Sequence, residues 1–105
     1  MENNPQYNVI ISDRARQMLA GHVRFLAQKS LPAARKMKND LIDAIKSLYQ
    51  MPERFPFLAA DFIPPNKYHK MLVGKRYLIL YQIKGQMVYV DYIVDCRQDY
   101  EWLIR

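Results

Sequence analysis

Lys67-Tyr-His-Lys-Met-Leu-Val-Gly-Lys-Arg-Tyr-Leu-Ile-Leu-Tyr-Gln-Ile-Lys-Gly-Gln-Met-Val-Tyr-Val-Asp-Tyr-Ile-Val-Asp-Cys-Arg97 is the stretch on which the fold turns. It reads as three short strands in succession, residues 68–73, 76–83 and 86–94. β-Branched and aromatic side chains fill the runs because they fit a pleated, half-buried surface. Gly74 and Gly85 mark the breaks, where a tight turn favours a residue free to take positive φ, so two consecutive hairpins are expected.

Charge is distributed unevenly along the same stretch. From Phe62 to Val90 there is no Asp or Glu, while Lys67, Lys70, Lys75, Arg76 and Lys84 all fall inside it. A sheet carrying only positive charge suits a phosphate or a carboxylate-rich partner. The plainer reading of the same lysines is solvated turns and edges.

A chain of 105 residues, half of them apolar, supports one domain with one core, assigned here to residues 1–105 with 1–6 as a flexible tail. Its net charge of +6 favours an acidic partner and says nothing of fold. With a single cysteine, Cys96, no internal disulfide can form, which fits a reducing cytoplasm. No apolar run approaches the roughly 20 residues of a membrane span, and the polar N-terminus has no signal-like apolar core. The expectation is a cytoplasmic protein without a membrane partner.

In chain order, residues 7–11 form a short strand, after which Ser12 or Asp13 can cap a helix by accepting from a free backbone N–H. Ala15, Met18, Leu19, His22, Val23 and Leu26 then recur at three- and four-residue steps as one core-facing stripe. His22 falls on that stripe and reads as a core-edge histidine. Pro32 sits where a second helix begins, since its missing N–H is not needed there. Ala34, Met37, Leu41, Ala44, Ile45 and Leu48 make the second stripe, which Pro52 ends. A link of about three residues forces the two helices into an antiparallel hairpin. Residues 53–66 are a long apolar loop that packs on the core or offers part of itself to a partner through Phe55, Phe57 and Phe62. Residues 98–104 read as a short terminal helix whose Trp102 can dock on the domain or a partner. The sum is an α+β, two-layer domain: an N-terminal strand, an antiparallel helical hairpin, a three-stranded antiparallel meander and a short C-terminal helix, with the second sheet face partly open.

At this point the chain resembles the RelE/ParE superfamily, toxins of type II toxin–antitoxin and plasmid stabilisation systems. The resemblance is carried by Tyr7-Asn8-Val9-Ile10-Ile11-Ser12 followed by Ala15, by the hairpin ending in Leu48 and Pro52, by Tyr77-Leu78-Ile79-Leu80-Tyr81-Gln82-Ile83, and by Ile93-Val94-Asp95-Cys96-Arg97-Gln98-Asp99-Tyr100. It implies a small basic cytoplasmic toxin held inactive by a cognate antitoxin with an acidic segment, needing no cofactor. Two actions are implied by different branches: metal-free, ribosome-associated mRNA cleavage as an mRNA interferase, placed first, or inhibition of DNA gyrase without nuclease activity. A non-toxic nucleic-acid-binding module needs only the charge and comes last. The nuclease branch resembles itself in an arginine after the first Tyr of the middle strand, a position held here by Leu78.

Cleavage of RNA without a metal needs a base for the 2′-hydroxyl, cations for the charge growing on the phosphate and an acid for the leaving oxygen. His69 is a candidate base or acid, since histidine titrates near neutrality. Arg76 and Arg97 are candidate phosphate clamps through paired N–H donors, and Tyr100 a candidate proton donor or positioning group. Lys67, Lys70 and Lys75 are candidate RNA- or target-binding residues, and Phe55, Phe57, Phe62 and Trp102 candidate antitoxin contacts. For His69 the plain reading is a strand-surface histidine, for Arg76 a solvated hairpin residue, and for Arg97 an ion pair with Asp95 or Asp99. Cys96 reads as a small buried residue, and two histidines with one cysteine match no metal-ligand spacing.

Overall fold

A computed structural model describes residues 6–59 and 63–97. The expected terminal helix at 98–104, with Tyr100 and Trp102, and the loop residue Phe62 lie outside the described residues, as do residues 1–5.

The chain opens with β1 (Asn8–Ile11) and the helices α1 (Asp13–Ala27) and α2 (Leu31–Lys46), and continues with β2 (His69–Val73), β3 (Tyr77–Lys84) and β4 (Met87–Asp95). The four strands form one sheet in the order β1-β4-β3-β2. β1 runs parallel to β4, while β2–β3 and β3–β4 are antiparallel hairpins. The meander is therefore as the sequence implied, and each of its strands starts within one residue of its expected start. The helical hairpin is the crossover that carries the chain from one edge strand to the other.

Local chemistry fixes both helices. The Ser12 hydroxyl accepts from the Ala15 amide at 3.0 Å, and Ser30 does the same for Ala33 at 3.2 Å. α2 ends earlier than the sequence implied. Ser47 donates to the Ala44 carbonyl at 2.6 Å, a bond that competes with the helical pattern, and the chain passes into a 3-10 turn over Ser47–Tyr49. Met51 takes a left-handed φ of 49°, and Pro52 opens a second short turn rather than closing the helix.

The core lies between the hairpin and one sheet face. Ala15, Met37, Leu41, Ile45 and Leu48 meet Ile79, Tyr81, Val88, Val90 and Ile93 there. His22 is buried, and its Nε2–H donates to the Ile93 carbonyl at 2.7 Å, in line with the core-edge reading. A β-bulge between Leu80 and Tyr81 leaves Asp91 as an extra residue on β4. The second face was expected to stay partly open. It does so: the loop roofs one part, where Leu58 and Tyr68 cover Leu78, Leu80 and Val94 with Ile63 against them, while Leu72 on the same face is 57% exposed. Among the described residues no helix is long and apolar enough to cross a membrane.

Candidate functional site

β2 and β3 carry most of the candidate residues, and the ladder register separates them. His69 pairs with Tyr81 at one end, and Val73 with Tyr77 at the other. Four residues of strand put about 13 Å between the two ends.

At the first end, His69 is not the surface residue that either reading required. It is 7% exposed, and its Nδ1–H donates to the Phe55 carbonyl at 2.7 Å. Its ring lies 4.1 Å from that of Phe57 and stacks on Tyr81 at 5.2 Å. Leu58 N–H to Tyr68 carbonyl (2.7 Å) and Lys70 N–H to Pro56 carbonyl (2.9 Å) hold the loop beside this strand. Histidine thus fills a gap between loop and sheet. The Tyr81 hydroxyl donates to the Pro52 carbonyl, and burial pushes this phenol up.

At the other end, Arg76 does not float as a hairpin cation. Its Nε and Nη2 reach Oδ1 and Oδ2 of Asp95 at 3.1 and 2.9 Å, a two-pronged pair. Asp95 is 1% exposed and also accepts the Arg97 amide at 3.0 Å. Burial pushes the Asp95 carboxyl up, but the Arg76 hydrogen bond, the Arg97 amide and the nearby charges of Arg76 and His22 outweigh it and hold the group below its ordinary value. Arg97 itself is exposed, and its anchor to Asp95 runs through its backbone N–H.

The remaining candidates are spread out. Lys67 lies over the Tyr68 ring at 5.5 Å, and Lys75 is exposed in the β2–β3 turn with φ of 61°. Lys70 edges a cavity of about 380 Å3 formed with Phe55, Pro56, Leu72 and Leu78. Phe55 is half-buried beneath the Arg54 guanidinium, and Phe57 is 43% exposed. Leu78, at the position of the nuclease arginine, is 8% exposed under the loop. Tyr68 donates to Asp91 at 3.1 Å, and burial together with that carboxylate pushes its phenol up to about 12. Among the described residues no three His, Cys, Asp or Glu side chains are grouped to hold a metal.

The geometry brings Arg76 and the Arg97 backbone together on Asp95 and leaves His69 apart from them, while Tyr100 lies outside the described residues. The sequence offers Asp95 only as one of two plain partners for Arg97, the other, Asp99, lying outside the described residues; the Tyr77–Asp95 register delivers Arg76 to it, and Arg97 reaches it through its amide.

The family model for the ParE toxin of type II toxin-antitoxin system, parDE, matches residues 9–100. This chain belongs to the ParE toxin family. A solved structure described as the chromosomal ParDE TA system from P. aeruginosa superposes with a TM-score of 0.71 at 13% identity, over 86% of this chain and 96% of that one. At that identity the likeness is one of fold, and it agrees with the ParE assignment. No curated protein matches the chain at a significant level. The two-layer α+β architecture is thus that of a ParE toxin.

Proposed function

We propose that this chain is the toxin of a type II pair that inhibits DNA gyrase by binding it, and that an antitoxin with an acidic segment holds it inactive in the cytoplasm. The reading reverses the order suggested by the sequence, which placed ribosome-associated mRNA cleavage first. One observation carries it: among the described residues, the candidate acid–base group His69 lies apart from the candidate phosphate clamps Arg76 and Arg97. His69 is buried against Phe55 and Tyr81, Arg76 is committed to Asp95, and Leu78 sits under an apolar roof where the nuclease branch has a cation. General acid–base chemistry needs its groups within hydrogen-bond reach of one substrate, and about 13 Å of strand separates these. Arg97, exposed and held through its amide, fits a contact to a macromolecular target. Arg97 and Tyr100 stay the leading site residues on their match to the closing motif, with Lys67, Lys70 and Lys75 as supporting charge.

The test is induced expression of wild type and Arg97→Ala, with mapping of RNA 5′ ends and a gyrase supercoiling assay on the purified proteins. Expected are growth arrest and lost supercoiling with the wild type, no new RNA ends with either form, and weaker gyrase inhibition by Arg97→Ala. New RNA ends that appear with the wild type and vanish in Arg97→Ala would establish the cleavage alternative in its place.

A further inference from the structure

The chain leaves the sheet through a clamp. Asp95, the last residue of β4, faces Tyr77 across the ladder, and one further bond, Cys96 N–H to the Arg76 carbonyl at 2.8 Å, carries the pairing past the end of the strand. Asp95 Oδ1 then accepts the Arg97 N–H at 3.0 Å. A carboxylate that accepts from the amide two residues on turns the chain as a backbone turn does. The carboxylate is fixed in its turn by the Arg76 fork, with Nε on Oδ1 at 3.1 Å and Nη2 on Oδ2 at 2.9 Å. Arg76 is anchored by the β2–β3 turn, where its N–H donates to the Val73 carbonyl at 3.3 Å, and its guanidinium lies 5.3 Å from the centre of the Tyr77 ring. Arg76 thus grips the departing chain twice, through its side chain and through its carbonyl. Arg97 is the first exposed residue beyond that grip.

A buried ion pair is a poor device for stability alone. Apolar side chains of similar volume often stabilise as well or better, without the cost of removing two charges from water. What apolar side chains cannot do is bind the Arg97 amide. The pair also presents little of itself to a partner, since the Arg76 side chain is 21% exposed and that of Asp95 is 1% exposed. We infer that Arg76 and Asp95 are positioning residues, which hold the backbone at Arg97 so that its guanidinium meets the target already aimed. This rests on the reading of Arg97 as a gyrase contact above and adds what sets its direction. The physical gain is preorganisation: backbone fixed before contact lowers the ordering cost that binding otherwise carries.

The test is a double-mutant cycle on affinity for purified gyrase, with Asp95→Asn and Arg76→Lys each made in wild type and in Arg97→Ala. Asparagine can still accept from the Arg97 amide, but it turns an NH2 group toward the Arg76 fork. Lysine keeps the charge beside Asp95 and gives up the second prong, so it serves where Asp95→Asn does not fold. Ile45→Val, in the helical core, is the control for lost stability. Melting curves set a temperature at which the variants compared are folded. In the wild-type background both clamp variants should bind gyrase about three- to ten-fold more weakly, the scale set by ordering one long side chain. In the Arg97→Ala background they should change affinity by less than about two-fold, although they lower the melting temperature in both backgrounds alike. Ile45→Val should melt lower and bind within about two-fold of wild type. A purely structural pair would weaken binding equally in both backgrounds, and that result would overturn the positioning role. Wild-type affinity in both clamp variants would do the same. Equal affinity of wild type and Arg97→Ala would remove the contact that the clamp serves, and the inference with it. Failure of the wild type to bind gyrase at all would overturn the gyrase reading on which the inference rests.

Discussion

On one side of the sheet, two capped helices lie over Ile79, Tyr81, Val90 and Ile93; on the other, Leu78, Leu80 and Val94 are covered by Leu58 and Tyr68 from an irregular segment. The apolar run Tyr77 to Tyr81 of β3 is buried throughout because it supplies both layers alternately. The helical roof satisfies its own backbone, so its side chains are free to be all apolar where they face the sheet. The loop roof depends on a few bonds to the edge strand, Leu58 to Tyr68 and Lys70 to Pro56, with His69 filling beneath it. Burial of equal depth thus rests on supports of unequal strength.

Truncation on each side should break that equality first. Leu41 is 0% exposed within the helical layer, and Leu41→Ala should cost about 2–5 kcal/mol, the usual range for a cavity the surroundings cannot close. Leu58→Ala, at 8% exposure, should fall at or below the bottom of the same range because a loop can settle into the space. Denaturant unfolding of both variants measures the difference. A larger loss at Leu58 than at Leu41 would reverse the ranking of the two roofs.

This contrast also sets what the sequence could show. The helical layer was legible because its apolar residues repeat at 3.6-residue spacing, and the stripes through Ala15 and His22 and through Met37, Leu41 and Ile45 are the ones buried. The loop roof has no period, so residues 53–66 announced packing on the core without showing which residues pack or on which face. His69 looked available for chemistry because neither the loop that covers it nor the Phe55 carbonyl it binds is visible from its neighbours in sequence. Asp95 and Arg76 lie 19 residues apart and meet only through the register of β3 and β4.

A second break concerns the charged end of the helical layer. Asp95 is buried beside His22 and Tyr77 and held by Arg76. Asp95→Asn should cost about 1.5–3 kcal/mol near neutrality, the worth of hydrogen bonds to a charged group. Since folding lowers this carboxyl below its ordinary value, the ionised form contributes stability that is fully present above about pH 3.9 and is lost as pH falls through the folded value. The gap between wild type and Asp95→Asn should therefore be constant from pH 7 to about 5 and narrow below about pH 4. Unfolding free energies measured across that range provide the check, and a gap that widens on acidification would mean that Asp95 is not the ionised partner of Arg76.

The smallest expected effect marks where the loop roof stops. Leu72 shares the second face with Leu78, its partner across β2 and β3, yet Leu72 is 57% exposed while Leu78 is 8% exposed. The cause is the loop's path. It is bridged to β2 at Phe57 and His69, and Lys70 makes the last bond to it, at Pro56, so Leu72 lies one alternate position beyond the cover. Proline has no N–H to return to the Lys70 carbonyl, and the ladder cannot continue along the edge in that register. A leucine so placed has little buried apolar area to lose on substitution, and threonine brings the β-branching that a strand favours. Leu72→Thr should therefore change the unfolding free energy by less than about 0.5 kcal/mol. A loss above about 1.5 kcal/mol in the same denaturant assay would show that Leu72 is covered in solution and that the second face is roofed along its whole length.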